Sequence, residues 1–331
     1  MKAAVVLAPH KIVVQDVPEP VTGAYDCLCE TLAVGICSGT DNNIVAGHPY
    51  HRVIFPAILG HEGVGRVAKC GSKVRHLGLG DVVTRPFNHL PSDSGFSLKF
   101  GAFAERTVVT DYRAMQEDGL PEHVWKPFTV HRVLPKDVDP LSATMLITWR
   151  ETFSFLARMQ LTSGERLLII GSGANALSFA DHAQNLGVQT TVIGSLVRKD
   201  AFEKKGAHFF EYTKPQPYEP QTFDSVIDTI GRSELLTPLL SALNVHAKIG
   251  VYGLDDFLNY KITKGEFQVF SGEEYDEGSA HDAVMTFVKA KKLNAWDYLS
   301  KEHVYPLEKI NEAVAASRER KVFKSVVLLR S

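Results

Sequence analysis

The stretch that most constrains this chain is Arg166-Leu167-Leu168-Ile169-Ile170, followed at once by Gly171-Ser172-Gly173-Ala174-Asn175-Ala176. A mostly continuous apolar run suits a strand buried on both faces, as in a parallel sheet covered by helices. Ala174 to Asn185 has a helical pattern, so the segment reads strand, glycine turn, helix. In that context a glycine turn binds a dinucleotide: Gly171 allows the tight turn, and Gly173 lets the backbone approach a pyrophosphate at the positive end of the helix. Ala176 stands at the third position, where a methyl group still lets helix and strand pack. Gly171, Ser172, Gly173, Ala174, Asn175 and Ala176 are therefore candidate coenzyme contacts; the alternative is a turn without a ligand.

The neighbouring sequence repeats this logic. Gln189–Ile193, Ser225-Val226-Ile227-Asp228 and Ala247–Tyr252 read as strands, with helical stretches at Asp200–Lys205 and Leu235–Leu243. Strands alternating with helices argue for an α/β, doubly wound parallel sheet. The end of the second strand separates the two nicotinamide coenzymes, because an NAD site places a carboxylate there for the ribose hydroxyls. This chain has Gly194-Ser195-Leu196-Val197-Arg198-Lys199 instead. Gly194 carries no repelling charge, Ser195 can donate to a 2′-phosphate, and Arg198 or Lys199 can neutralise it. The reading is NADP rather than NAD; the alternative for Arg198 and Lys199 is a solvated helix start.

Upstream, short β-rich runs at Lys2–Leu7, Lys11–Val17, Cys27–Val34, Gly63–Lys69, Asp81–Thr84 and Ala102–Val109 are separated by turn residues, as in a barrel or partly open β-domain. Domains are placed at 1–142, 143–285 and 286–331. The last reads as strand, helix (Leu307–Arg318) and apolar strand (Ser325–Leu329), which completes a sheet that pattern alone does not identify. Lys and Arg number 36 against 38 Asp and Glu, which excludes a broadly basic nucleic-acid binder. No run of roughly eighteen apolar residues exists, so no membrane span is expected. Met1–Leu7 is too short and soon too polar for a secretory signal, which predicts a cytoplasmic protein.

The four cysteines, Cys27, Cys29, Cys37 and Cys70, lie in the first quarter. Cys27 and Cys29 alternate around Leu28, so they share one strand face, and they are too close in sequence to bridge each other. Reduced thiols, mostly serving as small core residues, are the expectation. His48 and His51 read as a solvated loop, the alternative being that they line the substrate cleft or move protons; His89 reads as a substrate contact, and Glu273-Glu274-Tyr275-Asp276-Glu277 as a solvated surface turn.

Two further segments carry chemistry: Gly35-Ile36-Cys37-Ser38-Gly39-Thr40-Asp41 and Gly60-His61-Glu62-Gly63. A thiolate and an imidazole are ligands zinc prefers, and Glu62 adds a hard oxygen. A catalytic zinc with an open position stabilises an alkoxide, and Thr40 or Ser38 could relay the alcohol proton. Taken alone, a cysteine and a distant histidine read first as core residues.

With the glycine turn these segments resemble the medium-chain dehydrogenase/reductase family, in its zinc-dependent alcohol and polyol dehydrogenase branch. The resemblance also rests on Met1-Lys2-Ala3, Gly60-His61-Glu62-Gly63-Val64-Gly65, Gly80-Asp81-Val82-Val83, Gly101-Ala102-Phe103-Ala104-Glu105, and Phe223-Asp224 leading to Asp228 and Gly231. It implies a GroES-like β-rich catalytic domain, completed by the C-terminal segment, beside a Rossmann coenzyme domain. It implies Cys37 and His61 as zinc ligands, Glu62 as the neighbouring carboxylate that binds or exchanges at the metal, and Thr40 as the proton relay, with Ser38 lengthening that loop by one residue. It implies an oxidoreductase acting on the CH–OH of a small-molecule secondary alcohol, polyol or sugar, in a homodimer or tetramer, which the reading of residues 194–199 makes NADP-dependent.

Two departures stand out. Arg85 to Phe100, where the family carries four structural-zinc cysteines, has none, so one catalytic zinc and no structural zinc are expected. The family's remaining ligand falls at Leu146 or Ile147, which cannot bind metal. Zinc is then held by Cys37, His61, Glu62 and water, or by Glu151 one helical turn on, or the site has lost it. A metal-free quinone or enoyl reductase and a nucleotide-binding protein without turnover are the alternative functions.

Overall fold

The computed structural model describes residues 1–214, 218–262, 265–272 and 274–329. It divides into two compact units, Met1–Thr148 with Asn294–Ser331, and Trp149–Leu293. Among the described residues no helix is long and apolar enough to cross a membrane.

The first unit is β-rich. Its N-terminal part carries β1 (Lys2–Ala8), β2 (Lys11–Asp16), β3 (Asp26–Gly35), β4 (Ala57–Ile58), β5 (Glu62–Cys70), β6 (Val82–Thr84), β7 (Ser97–Leu98), β8 (Arg106–Thr110) and β9 (Arg132–Val133). One sheet runs β2-β1-β4-β7. In the other, β3 pairs antiparallel with β5 from Cys27 opposite Cys70 to Gly35 opposite Glu62. Burial alternates along β3, with Cys27, Cys29 and Thr31 inward, as a period of two requires. Ala102–Val109 was expected to form one strand, but only Arg106 onward does. The reason is a crossing between sheets: the Phe103 carbonyl accepts from Ala4 N–H, and the Glu105 carbonyl from Thr31 N–H.

The second unit holds, among the described residues, six strands: β10 (Arg166–Ile170), β11 (Gln189–Gly194), β12 (His208–Glu211), β13 (Phe223–Asp228), β14 (Leu243–Val251) and β15 (Gln268–Ser271). They form a parallel sheet in the order β12-β11-β10-β13-β14-β15. Helix Ala174–Leu186 buries Leu177, Phe179, Ala180 and Ala183, and ends at Gly187 in the left-handed conformation that favours glycine after a helix. The Leu235–Leu243 stretch breaks into a helical turn, Ser233–Leu236, and a 3-10 segment, Thr237–Ala242, because Pro238 supplies no N–H. The acidic run is not wholly solvated: Glu277 is buried against Arg150 at 3.3 Å, and Asp276 caps helix Glu277–Lys289. Glu273 lies outside the described residues.

The chain then returns to the first unit with β16 (Val304–Pro306) and β17 (Val326–Leu328). The latter lies antiparallel to β3, Val326 opposite Gly35. Lys324 is thereby brought to the end of β3.

Candidate active site

The antiparallel register of β3 and β5 sets the site. Gly35 faces Glu62, so the loop leaving β3 (Ile36 to Asp41) and the loop entering β5 (Gly60, His61) emerge side by side. One ligand atom each from Cys37, His61 and Glu62 lie within 4.8 Å of one another, and all three residues are buried. Gly35 is required by close approach: a β-carbon there would stand 2.5 Å from Glu62 Oε2.

The loop is held by its own polar groups. Asp41 Oδ2 accepts from the Cys37 N–H at 2.9 Å, and the Thr40 N–H donates to Cys37 Sγ at 3.4 Å. His61 Nδ1 is buried without a hydrogen-bond partner and stands 3.9 Å from Asp41 Oδ1. Burial, then Arg85, Lys324, Lys99 and His51, push the His61 pKa well down, which favours the neutral imidazole that binds metals. Burial pushes Asp41 up to about 7, opposed by the Cys37 N–H.

Glu62 has partners that sequence reasoning missed. Lys324 Nζ donates to both of its oxygens, at 2.6 and 2.7 Å, and Thr148 Oγ1 donates to Oε1 at 3.1 Å while accepting from Lys324 at 3.2 Å. Glu62 and Lys324 are 1% and 2% exposed, a fully desolvated ion pair. The sequence signal was a single lysine inside the apolar run Val322 to Leu329. Ile147, at the position of the missing family ligand, is fully buried. Cys37, His61 and Glu62 offer one sulfur, one nitrogen and one oxygen, a donor set suited to zinc, and leave a fourth position for water or substrate. A carboxylate has lone pairs enough to keep its lysine and threonine bonds while ligating. The residues fit the metal.

Beside His61 the Phe100 ring lies 5.2 Å away, centroid to centroid, with Arg85 and Lys99 at 5.2 and 5.4 Å from that ring and Phe87 at 5.7 Å. Ser38 is exposed and Thr40 half-buried. His51 is buried against Tyr50 rather than solvated. Phe96 packs with Val5 and Ile58 in a small core.

In the second unit Gly171, Ser172 and Gly173 form the turn between β10 and the helix opening at Ala174. Nothing lies within 4 Å of where a β-carbon on Gly173 would stand, which leaves the room a pyrophosphate needs beside the helix N-terminus. Asn175 is half-buried and Ala176 packs inward. Ser172 Oγ accepts from the Ser195 N–H at 2.9 Å, tying the turn to the end of β11. Gly194 has a packing reason as well as an electrostatic one: a β-carbon there would stand 2.5 Å from Ser172 Cβ. Ser195, Arg198 and Lys199 are half-buried on the segment that follows, with Lys199 Nζ 3.5 Å from Glu203.

Residues 23–121 match the alcohol dehydrogenase GroES-like domain. An alcohol dehydrogenase of Aspergillus sp. is 23% identical over 97% of this chain and 95% of its own length. L-galactonate-5-dehydrogenase of Escherichia coli is 23% identical over 99% and 98%. The solved alcohol dehydrogenase TADH of Thermus sp. ATN1 superposes with a TM-score of 0.82 at 20% identity, covering all of both chains.

Proposed function

We propose, from the GroES-like domain match over residues 23–121 and the full-length likeness to alcohol and polyol dehydrogenases, that the chain is a medium-chain dehydrogenase/reductase of the zinc-type alcohol dehydrogenase branch and an NADP-dependent zinc enzyme. The chain is an oxidoreductase acting on CH–OH groups. We read its reaction as reversible hydride transfer between a secondary alcohol, polyol or sugar and the nicotinamide, in a cytoplasmic homodimer. The observation that carries the zinc reading is the meeting of Cys37, His61 and Glu62 donor atoms within 4.8 Å. When bound there, zinc would act as a Lewis acid on the substrate oxygen.

The remaining work falls to this chain's own groups. Asp41 fixes the Cys37 backbone and so aims the thiolate. Lys324 and Thr148 orient Glu62. Thr40, whose N–H donates to Cys37 Sγ, or the exposed Ser38 would pass the alcohol proton outward. The Gly171–Gly173 turn would hold a pyrophosphate through backbone N–H groups, and Ser195, Arg198 and Lys199 would bind a 2′-phosphate. These groups supply orientation, while a bound nicotinamide would supply the redox chemistry.

A second reading has two observations in its favour: Lys324 already neutralises Glu62, and Ile147 offers no ligand, as a metal-free quinone or enoyl reductase would tolerate. NADP-linked oxidation across a panel of alcohols, polyols and sugars, run with and without chelator, decides. Turnover abolished by chelator and restored by zinc supports the zinc enzyme; chelator-insensitive reduction of a quinone or enone overturns it.

A further inference from the structure

We propose that Cys27 and Cys70 form a redox-active dithiol that closes as a cross-strand disulfide on exposure to a small-molecule disulfide. The two residues lie directly opposite each other on β3 and β5, and their sulfurs are 3.0 Å apart. The Gly71 N–H donates to the Asp26 carbonyl at 2.8 Å, which makes Cys27–Cys70 the non-hydrogen-bonded pair next along the ladder. Such pairs hold their α-carbons about 4.5 Å apart, inside the range of about 4.4–6.8 Å that a disulfide spans. Closing the bond to about 2.05 Å asks each sulfur to move only about half an ångström.

The two thiols differ in access. Cys70 is half-buried and Cys27 fully buried, packed with Cys29, Val67, Val83 and Val109. Burial, with the Cys70 sulfur adjoining, pushes the Cys27 thiol well up. Cys70 is thus the entry point and Cys27 the resolving thiol. The Cys70 thiolate attacks one sulfur of the oxidant RSSR, forming Cys70–S–S–R and expelling RS⁻. Cys27 then gives up its proton and attacks Cys70 Sγ, expelling a second RS⁻. Two protein thiols are oxidised to one disulfide, and RSSR is reduced to two RSH, which carry the protons. These thiols are distinct from the metal cluster: among the described residues, the group close enough to hold an ion is Cys37, His61 and Glu62. The loop closed between 27 and 70 nevertheless contains all three of those residues, so the bond would tie together the strand pair that presents them.

The test incubates the full chain anaerobically with oxidised glutathione, then alkylates it in denaturant and measures intact mass and linked peptides. The expected result is loss of two alkylatable thiols of four, a Cys27–Cys70 peptide, and recovery of all four on reduction. Cys70→Ala, at a half-exposed position, should retain its three thiols, and Cys27→Ala should stop at a glutathione adduct on Cys70. Four remaining thiols, a lasting glutathione adduct on the unaltered chain, or a bridge through Cys29 or Cys37 would overturn the assignment. None of these outcomes depends on zinc or coenzyme.

Discussion

Replacing Lys324 by methionine tests how Glu62 is held. The substitution keeps much of the volume but removes the ammonium that donates to both carboxylate oxygens. Glu62, 1% exposed, is left with Thr148 alone. Stranding one member of a buried ion pair costs about 3–5 kcal/mol. With an m-value of about 2–3 kcal/mol per molar urea for a unit of this size, the midpoint of the first unit should fall by about 1–2.5 M in metal-free protein. A cation ligated by Glu62 replaces the lost charge, so in zinc-loaded protein the fall should be less than half as large. Urea titrations of both chains, with zinc and with chelator, read this difference. Equal falls with and without zinc would refute the idea that Glu62 faces the metal; no fall in either would refute the account of the ion pair.

Two other outcomes follow from the second unit. His182 is fully buried, its Nε2–H donating to the Trp149 carbonyl at 2.9 Å, and burial pushes its pKa from 6.5 down to about 4. The unfolded chain therefore binds a proton that the folded chain refuses between those values. The stability is fully present above pH 6.5 and is lost as pH falls toward 4, by about 3 kcal/mol; His182→Gln should flatten that part of the stability profile. At the proposed coenzyme site, Arg198→Ala should raise the KM for NADP roughly tenfold, a loss of about 1.4 kcal/mol, and leave the KM for NAD nearly unchanged. Equal effects on both coenzymes would remove Arg198 from 2′-phosphate recognition.

How much of this was legible in the sequence depends on range. The apolar run 166–170 and its glycine turn announced a parallel sheet because period and turn chemistry act between near neighbours. Cys37, His61 and Glu62 stood out by residue type, and their convergence follows from one β-ladder. Lys324 did not, since its partner Glu62 lies 262 residues away. Glu277 was misread for the same reason: a run of acidic residues looks solvated until Arg150, 127 residues distant, is brought to it. Gly194 was read for charge alone, whereas Ser172 packing against it also forbids a side chain. Cys70 opposite Cys27 needed the strand register, which alternation within either strand does not specify.

The most direct test of the metal site is elemental analysis of the protein purified without added metal, beside Cys37→Ser and His61→Gln. One zinc per chain is expected in the unaltered protein, and under a tenth of that in each variant, with alcohol oxidation lost in parallel. A metal-free protein that oxidises alcohols at full rate, or variants that keep their zinc, would contradict the assignment of Cys37, His61 and Glu62.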